Sequence, residues 1–210
     1  MATTSILRVP GISRVGGDFL AALGELADRH GWNADGIAAV ISHESGFNPA
    51  ARNPTPGQTA TGLIQFIEST AHRLGTSTAA LATMTATEQL PFVEKFFRMA
   101  LGGRLPTDPA DYILATYGRA DVIGAPDSHV LDRRDSTDPR EAERYRVNAS
   151  LDTAHKGWID VGDLRRSVRR TIAAAQGERV LIPLAEPSTP CPSSGSASSP
   201  TSTGESSPDS

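Results

Sequence analysis

Apolar residues recur along this chain at the three- and four-residue spacing of helices, not at the alternation of strands. Phe19, Leu20, Leu23 and Leu26 share one face of a segment over 19–29 that Gly31 stops. Asn33 caps a second expected helix that runs to about Glu44. Residues 46–60 are rich in Asn, Pro and Gly and read as a loop, and a third helix is expected over 62–74, ending at Gly75. Thr85-x-x-Glu88 is a capping-box pattern ahead of Phe92, Phe96, Phe97 and Met99. Asp108-Pro109 and Asp138-Pro139 each place a cap and a first-turn proline before a helix, the first reaching Tyr117 and the second about Ala149. A last helix spans 163–176 and is closed by Gly177. No alternating run is long enough to nucleate a sheet, so the expected fold class is mainly α.

The 210 residues suit one ordinary domain, and 38% hydrophobic with 21% charged residues is a composition that can build a core. No apolar run approaches the roughly 18–20 residues needed to span a bilayer. A net charge of −4 gives no electrostatic reason to expect nucleic acid as a partner. The single cysteine, Cys191, excludes an internal disulfide framework and any multi-cysteine zinc site. The organisation expected is an N-terminal segment over 1–16, a helical domain over 17–182, and a tail over 183–210. That tail is crowded with Ser, Pro and Thr, has Leu184 as its one large apolar residue, and reads as disordered. Arg8, Pro10 and Arg14 interrupt every apolar stretch near the start, so no Sec signal is expected and a substrate outside the cytoplasm must be reached by another route.

One carboxylate falls on an unexpected face. Glu44 follows Ile37 by seven, Val40 by four and Ile41 by three, and so projects from the apolar stripe of its helix. Either the helix has frayed by residue 44 and the side chain reaches water, or the carboxylate is held among apolar groups at a helix C-terminus. In the second case desolvation and the helix dipole both raise its pKa. A carboxylic acid that keeps its proton near neutrality is what protonation of a leaving glycosidic oxygen requires.

From Glu44 the chain reads Glu44-Ser45-Gly46-Phe47-Asn48-Pro49-x-Ala51, then Ala60-Thr61-Gly62-Leu63-Ile64-Gln65-Phe66 and Ser69-Thr70-Ala71. These blocks resemble those of the lytic transglycosylases of the lysozyme-like superfamily. Tyr117, in Ile113-Leu114-Ala115-Thr116-Tyr117, looks like the tyrosine of that family's third block. Ile123-Gly124-x-Pro126-Asp127 with Val130-Leu131 looks like the variant in phage-encoded and virion-associated members. The resemblance runs from Ala34 to Asp163 and implies a lysozyme-like helical domain with a glycan-binding groove. It implies peptidoglycan glycan strands as partner, phage or injection-particle components as further partners, no cofactor and no metal.

The implied reaction cleaves the β-1,4 bond between N-acetylmuramic acid and N-acetylglucosamine and leaves a 1,6-anhydro end, with Glu44 as acid and base. The muramic 6-hydroxyl is the nucleophile, so one carboxylate suffices. Ser45, Gly62, Leu63, Gln65, Phe66 and Tyr117 are the implied substrate-binding residues, with the Tyr117 hydroxyl expected to bond Glu44. Two departures bear on this. Tyr117-Gly118-Arg119-Ala120 lacks the family's asparagine, and Glu68 stands where many members have proline. Glu68 is either a second carboxylate near the groove, favouring lysozyme-type hydrolysis, or a solvated charge at a helix start. A non-catalytic wall-binding component is the reading from another class.

Residues 152–163 fit a decayed calcium loop. With Asp152 at position 1, Gly157, Ile159, Asp160 and Asp163 fall at positions 6, 8, 9 and 12, but Ala154 and Lys156 occupy ligand positions 3 and 5. A retained turn without calcium is expected. His43-Glu44 begins a zincin motif that Phe47 breaks, and His30, His72, His129 and His155 show no ligand spacing. Arg165, Arg166, Arg169 and Arg170 form a basic patch, read as a solvated helix face or as a contact for anionic wall polymer or a particle partner.

Overall fold

The computed structural model describes residues 3–53 and 59–183. The expectations for the tail beyond 183, for Cys191 and for the middle of the 53–59 loop lie outside those residues. The architecture is mainly helical: α1 Gly17–His30, α2 Ala34–Ser45, α3 Glu68–Arg73, α4 Thr78–Leu81, α5 Ala86–Leu101, α6 Tyr112–Thr116, α7 Pro139–Val147 and α8 Val161–Ala174. None of these helices is long and apolar enough to cross a membrane.

Helix α2 is the axis of the core. Ile37, Ala38, Ala39, Val40 and Ile41 are all fully buried, so the helix is apolar on every side and is wrapped by its neighbours. Its start is fixed by the Asn33 side chain, which accepts from the Gly36 N–H at 2.9 Å. Gly36 itself is set by close packing, since a Cβ there would lie 2.6 Å from the Tyr112 ring and 2.7 Å from the Pro109 carbonyl. Tyr112 is buried too, and its hydroxyl accepts from the Asn33 N–H at 2.7 Å. The α5 start carries the capping box expected at Thr85 and Glu88.

Three expectations are corrected. Sheets do form. β1 (Thr3–Leu7) pairs antiparallel with β4 (Arg179–Pro183), and β2 (Val130–Arg133) with β3 (Trp158–Asp160). The strands are too short to show a period, and the first pair joins segments more than 170 residues apart in sequence. Within residues 3–15, Ile6, Val9 and Ile12 are buried in the core. The third helix starts at Glu68, not at 62. Residues 62–65 instead form a tight turn, closed by Gln65 N–H on the Gly62 carbonyl at 3.1 Å, with Gly62 and Gln65 both at positive φ. Finally, α8 begins two residues earlier than expected, capped by Asp160, with Asp163 completing the capping box.

The basic patch on α8 is not a solvated face throughout. Arg165 is buried and pairs with the buried Asp111 at 2.6 Å and with Asp127 at 2.7 Å, and Arg169 bridges Asp108 and Asp127. These contacts lock α8 to the turns before α6 and β2.

Candidate active site

Glu44 lies in the last turn of α2, which ends at Gly46 in a left-handed cap. Its side chain is half-buried and faces a cavity of about 260 Å³. Ile113, Leu151 and Leu164 make the apolar part of that wall, and His43, Thr116, Tyr117, Asn148, Ser150 and Ser167 the polar part. Burial pushes the Glu44 carboxyl up to about 7, only partly opposed by its hydrogen bond with the Thr116 hydroxyl. The Thr116 hydroxyl also lies 3.0 Å from the Ile113 carbonyl, to which it donates. Partial burial on the cavity wall lowers the His43 imidazole from its usual value, which favours the neutral ring beside Glu44. Larger concavities exist on the surface. This one is marked by its chemistry, a carboxylic acid that titrates near neutrality on a groove wall.

Glu44 is also the one carboxylate lining this cavity among the described residues. Glu68 does not reach it. It opens α3, bonds Thr78 and pairs with His72 at 2.7 Å, and those contacts hold its carboxyl below the usual range.

Tyr117 lines the cavity, but its hydroxyl is turned away from Glu44. It donates to Asp132 Oδ2 at 2.7 Å, so its single proton is not available to Glu44. Burial, then the Asp132 carboxylate, keep this phenol firmly protonated. Asp132 is fully buried and also pairs with Arg144 of α7 at 2.7 Å. A bulge between Val130 and Asp132 sets this up, because it lets the consecutive residues Leu131 and Asp132 both face inward. Asp132, Arg144 and Thr116 have no place in the sequence reading, and no local pattern announces the first two. Ser167 carried a usable signal: it follows Leu164 by three on the apolar face of α8.

The block at 62–66 does not deliver its side chains to the cavity. Leu63 and Phe66 are buried in the core, and neither side chain lines the cavity. Gly62 is buried and Gln65 half-buried, and neither lines the Glu44 cavity. The Gln65 amide donates back to the Ala51 and Gly62 carbonyls, at 3.3 and 3.0 Å. What the block does is brace the end of α2. The Ser45 hydroxyl, shared with the Ile41 carbonyl, reaches Leu63 O at 2.9 Å. The fully buried Gln89 accepts from the Leu63 N–H at 2.9 Å and donates to the Pro49 and Leu81 carbonyls at 2.7 and 2.8 Å. Gly62 is required here, at φ +83° with the Gln89 amide where a Cβ would stand.

In the expected calcium loop, the Lys156 ammonium sits among the acidic side chains. It bonds Asp160 Oδ2 at 2.5 Å and Asp163 Oδ2 at 2.8 Å. Asp152 accepts from the N–H groups of Lys156 and Gly157 and from the Tyr145 hydroxyl. The turn keeps its shape around a covalently attached cation.

A helical domain thus presents one carboxylic acid, its proton held by burial, on the wall of a cavity. Residues 22–89 match the family model of the transglycosylase SLT domain. That match is about a third of the chain. It includes Glu44, Ser45 and the 62–66 block and stops short of Tyr117. No curated protein matches the chain significantly.

Proposed function

We propose that this protein is a lytic transglycosylase that cleaves the MurNAc-β-1,4-GlcNAc bond of peptidoglycan glycan strands, with Glu44 as its acid and base. The observation that carries the reading is a lone carboxylic acid, titrating at about 7, on the wall of a groove. The SLT match over 22–89 supports the substrate class.

The chemistry follows from that one group. Protonated Glu44 donates to the bridging oxygen as the glycosidic bond breaks, and charge builds on the anomeric carbon. The Glu44 carboxylate then takes the proton from the muramic 6-hydroxyl as that oxygen attacks the same carbon and closes the 1,6-anhydro ring. The acid is regenerated and no water is consumed. Asp132 is fully buried behind Tyr117 and paired with Arg144, so it is not placed to activate water. Hydrolysis on the same fold is the second reading, favoured only if a water enters beside the lone acid. Delivery to the wall by a phage or injection particle belongs to the proposal as well.

Mass analysis of the products decides between the two chemistries. Fragments one water lighter than hydrolytic ends are expected from purified peptidoglycan. Reducing muramic ends alone would establish hydrolysis instead.

A further inference from the structure

One face of the molecule combines unmatched positive charge with exposed apolar side chains. Two adjoining surface concavities, of about 530 and 490 Å³, share Arg73 and Met99. Arg73 closes α3, Lys95 and Arg98 stand on α5, and Arg104 follows that helix. All four are exposed, and none of them lines the Glu44 cavity. Among the described residues, none of the four has an ion-pair partner within 4.0 Å. Arg119, Arg144, Arg165 and Arg169, by contrast, are each taken up by an aspartate. Asp121, the one carboxylate lining the two concavities, belongs to Arg119 at 3.0 Å.

The apolar side chains sit among these cations. A single exposed apolar residue is ordinary on a protein surface, whereas a cluster marks a contact. Ile67 is 52% exposed, Met99 37% and Leu105 57%, and they are three of the five large apolar side chains exposed among the described residues. Ile67 and Met99 line the larger concavity together with Arg73 and Arg104, and Leu105 is the next residue after Arg104. Gly102 and Gly103, both at positive φ, make the turn that presents Arg104 and Leu105 beyond the end of α5. In a chain of net charge −4, this face is a local reversal of sign laid over exposed hydrocarbon.

We propose that this face docks on an anionic lipid bilayer, with the four cations on headgroup phosphates and Ile67, Met99 and Leu105 at the edge of the acyl region. Charge alone would suit any polyanion, and apolar surface alone any apolar partner. An anionic bilayer presents phosphate oxygens and hydrocarbon within one side-chain length of each other, and long cationic side chains reach the first while their neighbours enter the second. Three of the four cations are arginines, whose planar fork matches phosphate oxygens in pairs. The net negative charge of the whole chain is repelled by such a bilayer, so attachment needs this face turned towards it and fixes the molecule's orientation. The proposal stands apart from the chemistry assigned to Glu44, and either can fail without the other.

Co-sedimentation of the full chain with vesicles tests this, using equal parts phosphatidylglycerol and phosphatidylcholine beside phosphatidylcholine alone. Wild type is expected to bind the anionic vesicles on the order of tenfold more tightly at low salt, with the preference fading as salt screens the charges. The variant Arg73→Gln/Lys95→Gln/Arg98→Gln/Arg104→Gln should lose that preference. Ile67→Ser/Leu105→Ser keeps every cation and should still weaken binding to anionic vesicles about fivefold, which a purely ionic contact would not show. Thermal midpoints establish that both variants are folded. Equal binding of wild type to the two kinds of vesicle, or binding to neither, overturns the proposal, as does a preference that survives loss of the four cations. Inorganic polyphosphate bound as tightly as the anionic vesicles, with the serine substitutions affecting neither, would assign the face to a soluble phosphate polymer and also overturn it.

Discussion

The Glu44 side chain combines two conditions that rarely coincide, contact with a groove and surroundings that favour its neutral form. With the carboxyl titrating at about 7, the acid is abundant below that pH and scarce above it. The rate kcat/KM on soluble glycan should therefore fall about tenfold per pH unit on the alkaline side, measured from pH 6 to 9. The same shift has a stability consequence. Between about 4.5 and 7 the unfolded chain has released this proton and the folded one has kept it, so stability falls as pH rises through that window and then levels off. Glu44→Gln removes the penalty. The variant should be more stable than wild type at pH 8, by at most about 3 kcal/mol, and indistinguishable from it near pH 4 in thermal or urea unfolding. Glu44 was legible in the sequence because its spacing from Ile37, Val40 and Ile41 is a local property of one helix. The partner of Tyr117 was not legible, because Asp132 arrives from a bulged strand whose register no nearby residue signals.

At the scale of elements, the 62–66 turn braces the end of α2 and sends no side chain into the Glu44 cavity. Helix propensity over 62–74 is overridden by two positive-φ residues and by Gln89, a buried amide 26 residues from Leu63. That long-range clamp is why the sequence suggested a helix where a turn stands. The 152–163 loop is the reverse case, since its spacing was readable and Lys156 was already recognised as hostile to a divalent ion. What the structure adds is that the ammonium itself satisfies Asp160 and Asp163, the latter buried. Lys156→Met should cost about 2 kcal/mol by leaving those carboxylates uncompensated. Calcium on the order of millimolar should restore part of the lost thermal midpoint in the variant and none in wild type. A wild-type midpoint that rises with calcium would contradict this account of the loop.

On the scale of the whole molecule, the β1–β4 pair ties the first described residues to 179–183, and Asp35 joins both strands to α2 by accepting from the Leu7 N–H and pairing with Arg179. Interior ion pairs such as Asp111–Arg165 fasten α8, which supplies Leu164 and Ser167 to the wall opposite Glu44. The helical class was readable from periodicity. The closure of the groove was not, because it depends on residues from 113 to 167 meeting residue 44 through packing between distant segments. Loss of turbidity from purified cell walls, with wild type beside a Glu44→Gln variant of verified fold, tests the central claim most directly. Lysis by wild type and at least a hundredfold slower lysis by the variant are expected, the scale of losing a general acid. Equal lysis by the two proteins would contradict the role given to this residue and the mechanism built on it.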